Sequence, residues 1–157
     1  MDIKITPYHL LCILNNYGEG NELFQPDLKS KNDYYYLANA IIFNDVEHIS
    51  FTTKTDDICN PCIYLNNKIC TDVIVENNLK VNKNDYYIGL NKMLFDQMSL
   101  IENNLYDFNF IINLFNEIIT DEIIDKCWSL NSKEDNLLIF KNIKKGLKKL
   151  LNNSLLI

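Results

Sequence analysis

Three of the chain's five cysteines fall within twelve residues, in Asp56-Asp57-Ile58-Cys59-Asn60-Pro61-Cys62 and at Cys70. A Cys-x-x-Cys turn aims two sulfurs at one centre, and Pro61 inside it limits the turn's freedom. Cys70 offers a third sulfur. Cys12, far upstream in His9-Leu10-Leu11-Cys12, offers a fourth, and His9 is a further candidate ligand. Four thiolates suit either a tetrahedral zinc or a 4Fe-4S cluster, and Cys-x2-Cys-x7-Cys spacing is common to both. Any one of these cysteines has a plainer account as a small buried hydrophobe. Apolar packing, however, gives no reason for three of them to gather round a proline turn. The residues therefore predict a metal-binding protein.

The role of the centre depends on Cys12. With Cys12, Cys59, Cys62 and Cys70 all bound, the metal is saturated and serves structure or electron transfer. With Cys12 free, three thiolates leave one iron open as a Lewis acid for a small molecule. A metal-free enzyme is also open, in which Cys12 is the nucleophile and His9, one helical turn away, its base. Asp56 and Asp57 fit a turn whose carboxylates accept backbone amides, or a pair that orients His9. Cys127, beside Trp128 in an amphipathic segment, reads as a core residue. His48 reads as a surface or half-buried strand residue.

These residues need elements to hold them. Residues 2–5 alternate weakly, as a short edge strand does. Thr6 is a good N-cap and Pro7 occupies the favoured first helical position. The helix they open runs to about Asn16, closed by Gly18, with His9 and Cys12 on one face. A loop to about Ser30 precedes a helix over about 31–44. Val46–Thr52, alternating at 46, 49 and 51, is a strand that feeds the Cys-x-x-Cys turn. Asn66-Asn67 marks a hairpin that swings Cys70 back. Beyond Val75 the pattern turns helical. Asn84 or Asp85 caps one helix, Asp107 a second, and Ser132 with Asp135 a last one through about Asn152.

Composition limits the partners. The chain has 157 residues, 47% of them hydrophobic and 23% charged, which fits one globular domain with a proper core. The formal charge is −6, and all fifteen basic residues are lysine. An acidic surface without guanidinium forks argues against nucleic acid. No signal-peptide pattern opens the sequence and no apolar run is long enough for a membrane span, so a cytoplasmic protein is expected. In that compartment an odd number of cysteines reads as ligands or reactive groups before disulfides. A small molecule or a redox partner is the expected associate. Lys144-Lys145-Gly146-Leu147-Lys148-Lys149 complements the dipole of the last helix, with no need of a membrane or nucleic acid.

The arrangement His-Leu-Leu-Cys, then Asp-Asp-Ile-Cys-x-x-Cys, then a further Cys, resembles the DUF1284 family. These are small bacterial and archaeal proteins of unknown function, proposed to bind an iron–sulfur cluster. The likeness covers roughly residues 5 to 95, with His9, Cys12, Asp56, Asp57, Cys59, Cys62 and Cys70 on the family's motifs. The family usually has two adjacent histidines where this chain has Tyr8-His9, and a C-terminal Cys-x-x-Cys-x-Trp where it keeps Cys127-Trp128. The resemblance implies a core over residues 1–130 carrying the cysteine site, with 131–157 an appended helix. The fold expected is α+β and mainly helical, a single domain with a small sheet beside the cysteine turn.

Overall fold

A parallel pair of short strands sets the frame. In the computed structural model, which describes residues 1–76 and 78–154, β1 (Asp2–Ile5) lies parallel to β2 (His48–Phe51), with Ile3 opposite Ile49 and Ile5 opposite Phe51. All four of those side chains are buried. Parallel neighbours need a crossover, and two helices supply it: α1 (Pro7–Glu19) and α2 (Tyr34–Ile42). On the other side of β2, the two-residue β7 (Tyr106–Asp107) pairs antiparallel. Two hairpins stand apart from this sheet, β3 (Leu65–Asn66) with β4 (Ile69–Cys70), and β5 (Val73–Glu76) with β6 (Leu79–Asn82). The helices α3 (Lys83–Met98), α4 (Phe108–Ile118), α5 (Asp121–Cys127) and α6 (Lys133–Ser154) complete a mixed α+β domain that is mostly helical.

The caps follow the residue types. Thr6 Oγ1 accepts from the His9 amide, Asp107 from Phe110 and Ser132 from Asp135. Each satisfies an amide that a helix start leaves without an intrahelical partner. The cap of α3 is Asn82, two residues before the expected Asn84, because β6 delivers the chain directly into the helix. Strand β6 escapes sequence reading: all four of its residues are exposed, so no buried face imposes an alternation. The β3–β4 turn centres on Asn67 and Lys68, at φ 49° and 64°, one residue beyond the expected pair. Two successive left-handed residues match the twist of a hairpin.

Helix α1 is longer than its sequence suggests. Gly18 does not end it; the chain stays helical to Glu19, and Gly20 at φ 123° turns it off. Gly18 has a packing role instead. It faces α6, where Gly146 faces back, and a Cβ on either would collide with the other helix's backbone. The collision would be with the Asn142 carbonyl for Gly18 and the Leu14 carbonyl for Gly146. Two missing side chains thus let the helices touch backbone to backbone. Around this crossing Leu10, Leu11, Leu14, Ile143 and Leu147 have no exposed surface. Lys149 stands over the Tyr17 ring, 4.6 Å from its centroid, and bonds the Tyr17 carbonyl at 3.1 Å.

Gly146→Ala and Gly18→Ala should each destabilise the fold by about 1–3 kcal/mol, the range for overpacking. Gly89, in α3, has nothing within 4 Å of where its Cβ would stand. There the alanine substitution should instead add about 0.5–1 kcal/mol through helix propensity. Urea midpoints of the three variants check the contrast; equal effects would mean that the α1–α6 crossing is not close.

Candidate functional site

Asp56 occupies the junction of β1, α1 and the cysteine turn, and its side chain has no exposed surface. One oxygen, Oδ2, accepts from the Thr6 amide at 2.7 Å and lies 2.7 Å from His9 Nδ1. The other, Oδ1, accepts from the Ile58 amide at 3.1 Å and from the Cys59 thiol at 3.4 Å. Burial works to raise this carboxyl. The neighbouring His9 and the hydrogen bonds from His9, Thr6 and Cys59 outweigh it and hold the group below the usual carboxylate range. Asp57 adds a second tie, accepting the Lys4 amide of β1 at 2.7 Å. The two aspartates therefore receive backbone amides, and Asp56 also orients His9.

Above this junction lies a cavity of about 120 Å³. Its wall includes Tyr8 and His9 from α1, Cys59 and Cys62 from the turn, Cys70 from β4, and Lys83 and Tyr87 from α3. A cavity of roughly 150 Å³ takes up one benzene ring, so this one suits a molecule or group of similar size. Tyr8 stacks on Tyr87 with ring centroids 4.7 Å apart, and the Trp128 ring lies tilted 5.2 Å from Tyr8. The buried Asn91 accepts the Tyr8 amide at 3.0 Å, joining α3 to the start of α1. Lys83 reaches Asp72 at 3.0 Å. Burial works to lower the Lys83 ammonium; the hydrogen bond and charge of Asp72, with Tyr87 and Cys70 adding, hold it above its usual value.

The expected metal or iron–sulfur centre is not assembled. Among the described residues, the acidic, histidine and cysteine side chains whose ligand atoms all lie within 4.8 Å of one another are Asp2, Glu47 and His48. No three of His9, Cys12, Cys59, Cys62 and Cys70 meet that condition. Around a tetrahedral zinc, with Zn–S bonds of about 2.3 Å, they would have to. For a 4Fe-4S cluster the set is divided. Cys59, Cys62 and Cys70 line the cavity, whereas Cys12 lies outside its wall and His9 is turned to Asp56. Protonation opposes both metals, since a ligand sulfur must be a thiolate. Burial pushes the Cys12 thiol up to about 12, against smaller opposite effects of Tyr8 and Lys83. Burial and then the Asp56 charge push Cys59 up to about 12 as well. The donors do not fit either group.

Cys127 sits in the core at the end of α5, 2% exposed, as its neighbourhood in the sequence suggests. The Asp2–Glu47–His48 group is an oxygen and nitrogen set on the outer edge of the sheet, with His48 Nδ1 2.9 Å from Asp2 Oδ1. It arises from strand register, since Asp2 is the residue paired with His48. Because register creates it, no local spacing in the sequence marks it. Lys83, Asp72, Tyr8 and Tyr87 were missed for a similar reason: they meet only through the β5–β6 hairpin and the α1–α3 contact. No family model, curated protein or solved structure matches the chain. Among the described residues, no helix is long and apolar enough to cross a membrane.

Because the Asp56 carboxyl is held low in the folded chain, its stabilisation is present above the unfolded value of about 3.9 and lost as pH falls through the folded one. Asp56→Asn should cost about 3 kcal/mol at neutral pH, as breaking a buried pair does. It should also flatten the acid limb of stability against pH below about 4. Chemical unfolding at a series of pH values tests both effects; an unchanged acid limb would mean that Asp56 is not the group that matters there.

Proposed function

We propose that the chain acts on a small molecule held in this cavity, with His9 as the group that takes and returns a proton. The observation that carries the reading is the 2.7 Å approach of Asp56 Oδ2 to His9 Nδ1, in an imidazole that remains 27% exposed and forms part of the cavity wall. A buried carboxylate accepting Nδ1–H selects one tautomer and leaves Nε2 with a free lone pair. Such a nitrogen is a general base, and once protonated it is a general acid beside a carboxylate that stabilises the charge. Tyr8 and Tyr87 offer an apolar face with phenols, and Lys83 a cation, against which a ligand of one ring's size can be oriented.

Cys12 stands one turn along α1 and supports the wall through Tyr8, its thiol kept protonated by burial. The likeness to the DUF1284 family enters here as a proposal too. Of the motif residues it rests on, His9, Asp56, Asp57, Cys59, Cys62 and Cys70 belong to the junction or the cavity wall, and Cys12 lies outside that wall. The acidic, arginine-free composition supports a small molecule over nucleic acid, and five free thiols support a reducing, cytoplasmic setting.

Nitrogen-15 spectra of the His9 ring, with a fragment screen on the same labelled protein, test this reading. The neutral ring should carry its proton on Nδ1. Fragments of about one ring should shift the His9 and Tyr87 signals, and His9→Asn should weaken them about tenfold, or about 1.4 kcal/mol. A ring protonated on Nε2, or fragments that never reach these residues, would overturn it.

A further inference from the structure

The proton-transfer reading leaves the cysteines at the cavity mouth without a task. Cys59 and Cys62 belong to one tight turn, in which the Cys62 amide donates to the Cys59 carbonyl at 3.0 Å. A turn closed in that way keeps its end Cα atoms within about 7 Å, the separation that a disulfide spans. Both side chains reach the cavity and both cysteines are half-buried. They differ in one respect. Cys59 donates a hydrogen bond from its thiol to the buried Asp56 Oδ1 at 3.4 Å, and among the described residues Cys62 has no carboxylate hydrogen-bond partner.

We propose that Cys59 and Cys62 are a thiol–disulfide pair that reduces small-molecule disulfides entering the cavity. Cys62 is the attacking sulfur. As its thiolate it bonds to one sulfur of R–S–S–R, the S–S bond breaks, and the first RS⁻ leaves with its electron pair. Cys59 then attacks the Cys62 sulfur of the mixed disulfide. Its proton passes to the departing sulfur as the new S–S bond forms, so the second group leaves as RSH, and the first RS⁻ takes up the proton that Cys62 gave to solvent. The substrate gains two electrons and becomes two thiols, while the protein dithiol is oxidised to a disulfide, which a cellular dithiol restores by the reverse exchange. The assignment of roles follows from the geometry. The Cys59 thiol is held by its hydrogen bond to Asp56 and acts second, whereas the attacking sulfur must meet the substrate first. Oxidation also removes the Cys59–Asp56 hydrogen bond, so the two states differ at the carboxylate that holds His9. The inference rests on the proposed function and deepens it, since it uses the same cavity and the carboxylate that bonds both His9 and Cys59, and it names small disulfides as the substrate class.

The test uses the full chain with bis(2-hydroxyethyl) disulfide as the probe, followed by acid quench, alkylation under denaturing conditions and peptide mass analysis. The unsubstituted protein should lose two alkylatable thiols, both in the Cys59–Cys62 peptide, with Cys12 and Cys127 still fully alkylated. Cys59→Ser should instead trap the probe as a mixed disulfide on Cys62. Pairing of Cys62 with Cys70, or a mixed disulfide that persists on the unsubstituted protein, would overturn the proposal. Either failure leaves the His9 tautomer and fragment shifts untouched, so the two readings fall separately.

Discussion

A carboxylate enclosed by protein must find a donor for each lone pair it hides, and Asp56 finds four: two amides, an imidazole and a thiol. Those donors come from two parts of the chain about fifty residues apart, Thr6 and His9 on one side and Ile58 and Cys59 on the other. The start of α1 and the cysteine turn are therefore fixed to one another through a single side chain. The parallel β1–β2 pair brings the two parts near, and Asp57 on the Lys4 amide sets the remaining angle. Moving Asp56 would leave two backbone amides and a histidine nitrogen without the acceptor they share. Each orphaned group costs about 1–3 kcal/mol. The junction is for that reason rigid, and the cavity above it inherits the rigidity.

The same carboxylate explains why cysteines gather at a turn without forming a metal centre. A ligand thiolate needs positive charge or donors around it. Cys59 has the reverse, an anionic neighbour that accepts its proton and raises its affinity for that proton. Cys12 is held as a thiol by its own burial, on a helix whose packing face is directed to α6 and the core. A count of sulfurs in sequence carries no information about the sign of the charge beside each one. In this chain that charge decides the chemistry.

Sequence reading succeeded where the physics is local. Thr6, Asp107 and Ser132 were legible as caps because a helix start needs an acceptor within three residues, whatever the rest of the fold does. The α+β class was legible from apolar spacing at 46, 49 and 51 and along α4. It failed where meaning depends on a distant partner. Gly18 carries the local signature of a helix stop, but the backbone of α6 is what demands glycine there. Strand β7 is two residues long and exists only because β2 offers an edge. His9 and Cys12 share a helix face, a fact of periodicity, but the nitrogen of His9 is claimed by a residue forty-seven positions on.

The choice of an ionic group at the junction, where an apolar one would pack, bears on function. A buried carboxylate rarely outperforms well-packed hydrophobes in stability, because its desolvation consumes most of what its partners return. If the junction served the fold alone, a leucine and a phenylalanine could fasten α1 to the turn at no loss. The Asp56–His9 pair does something those residues cannot. It places an imidazole of defined tautomer at the wall of a cavity and keeps an acceptor beside a thiol. Both are properties of proton transfer, and neither contributes to packing. Among the described residues Asp56 is the one buried acidic side chain, and Thr6 and Ile58 commit their amides to it, which is the structural reason for proposing chemistry here.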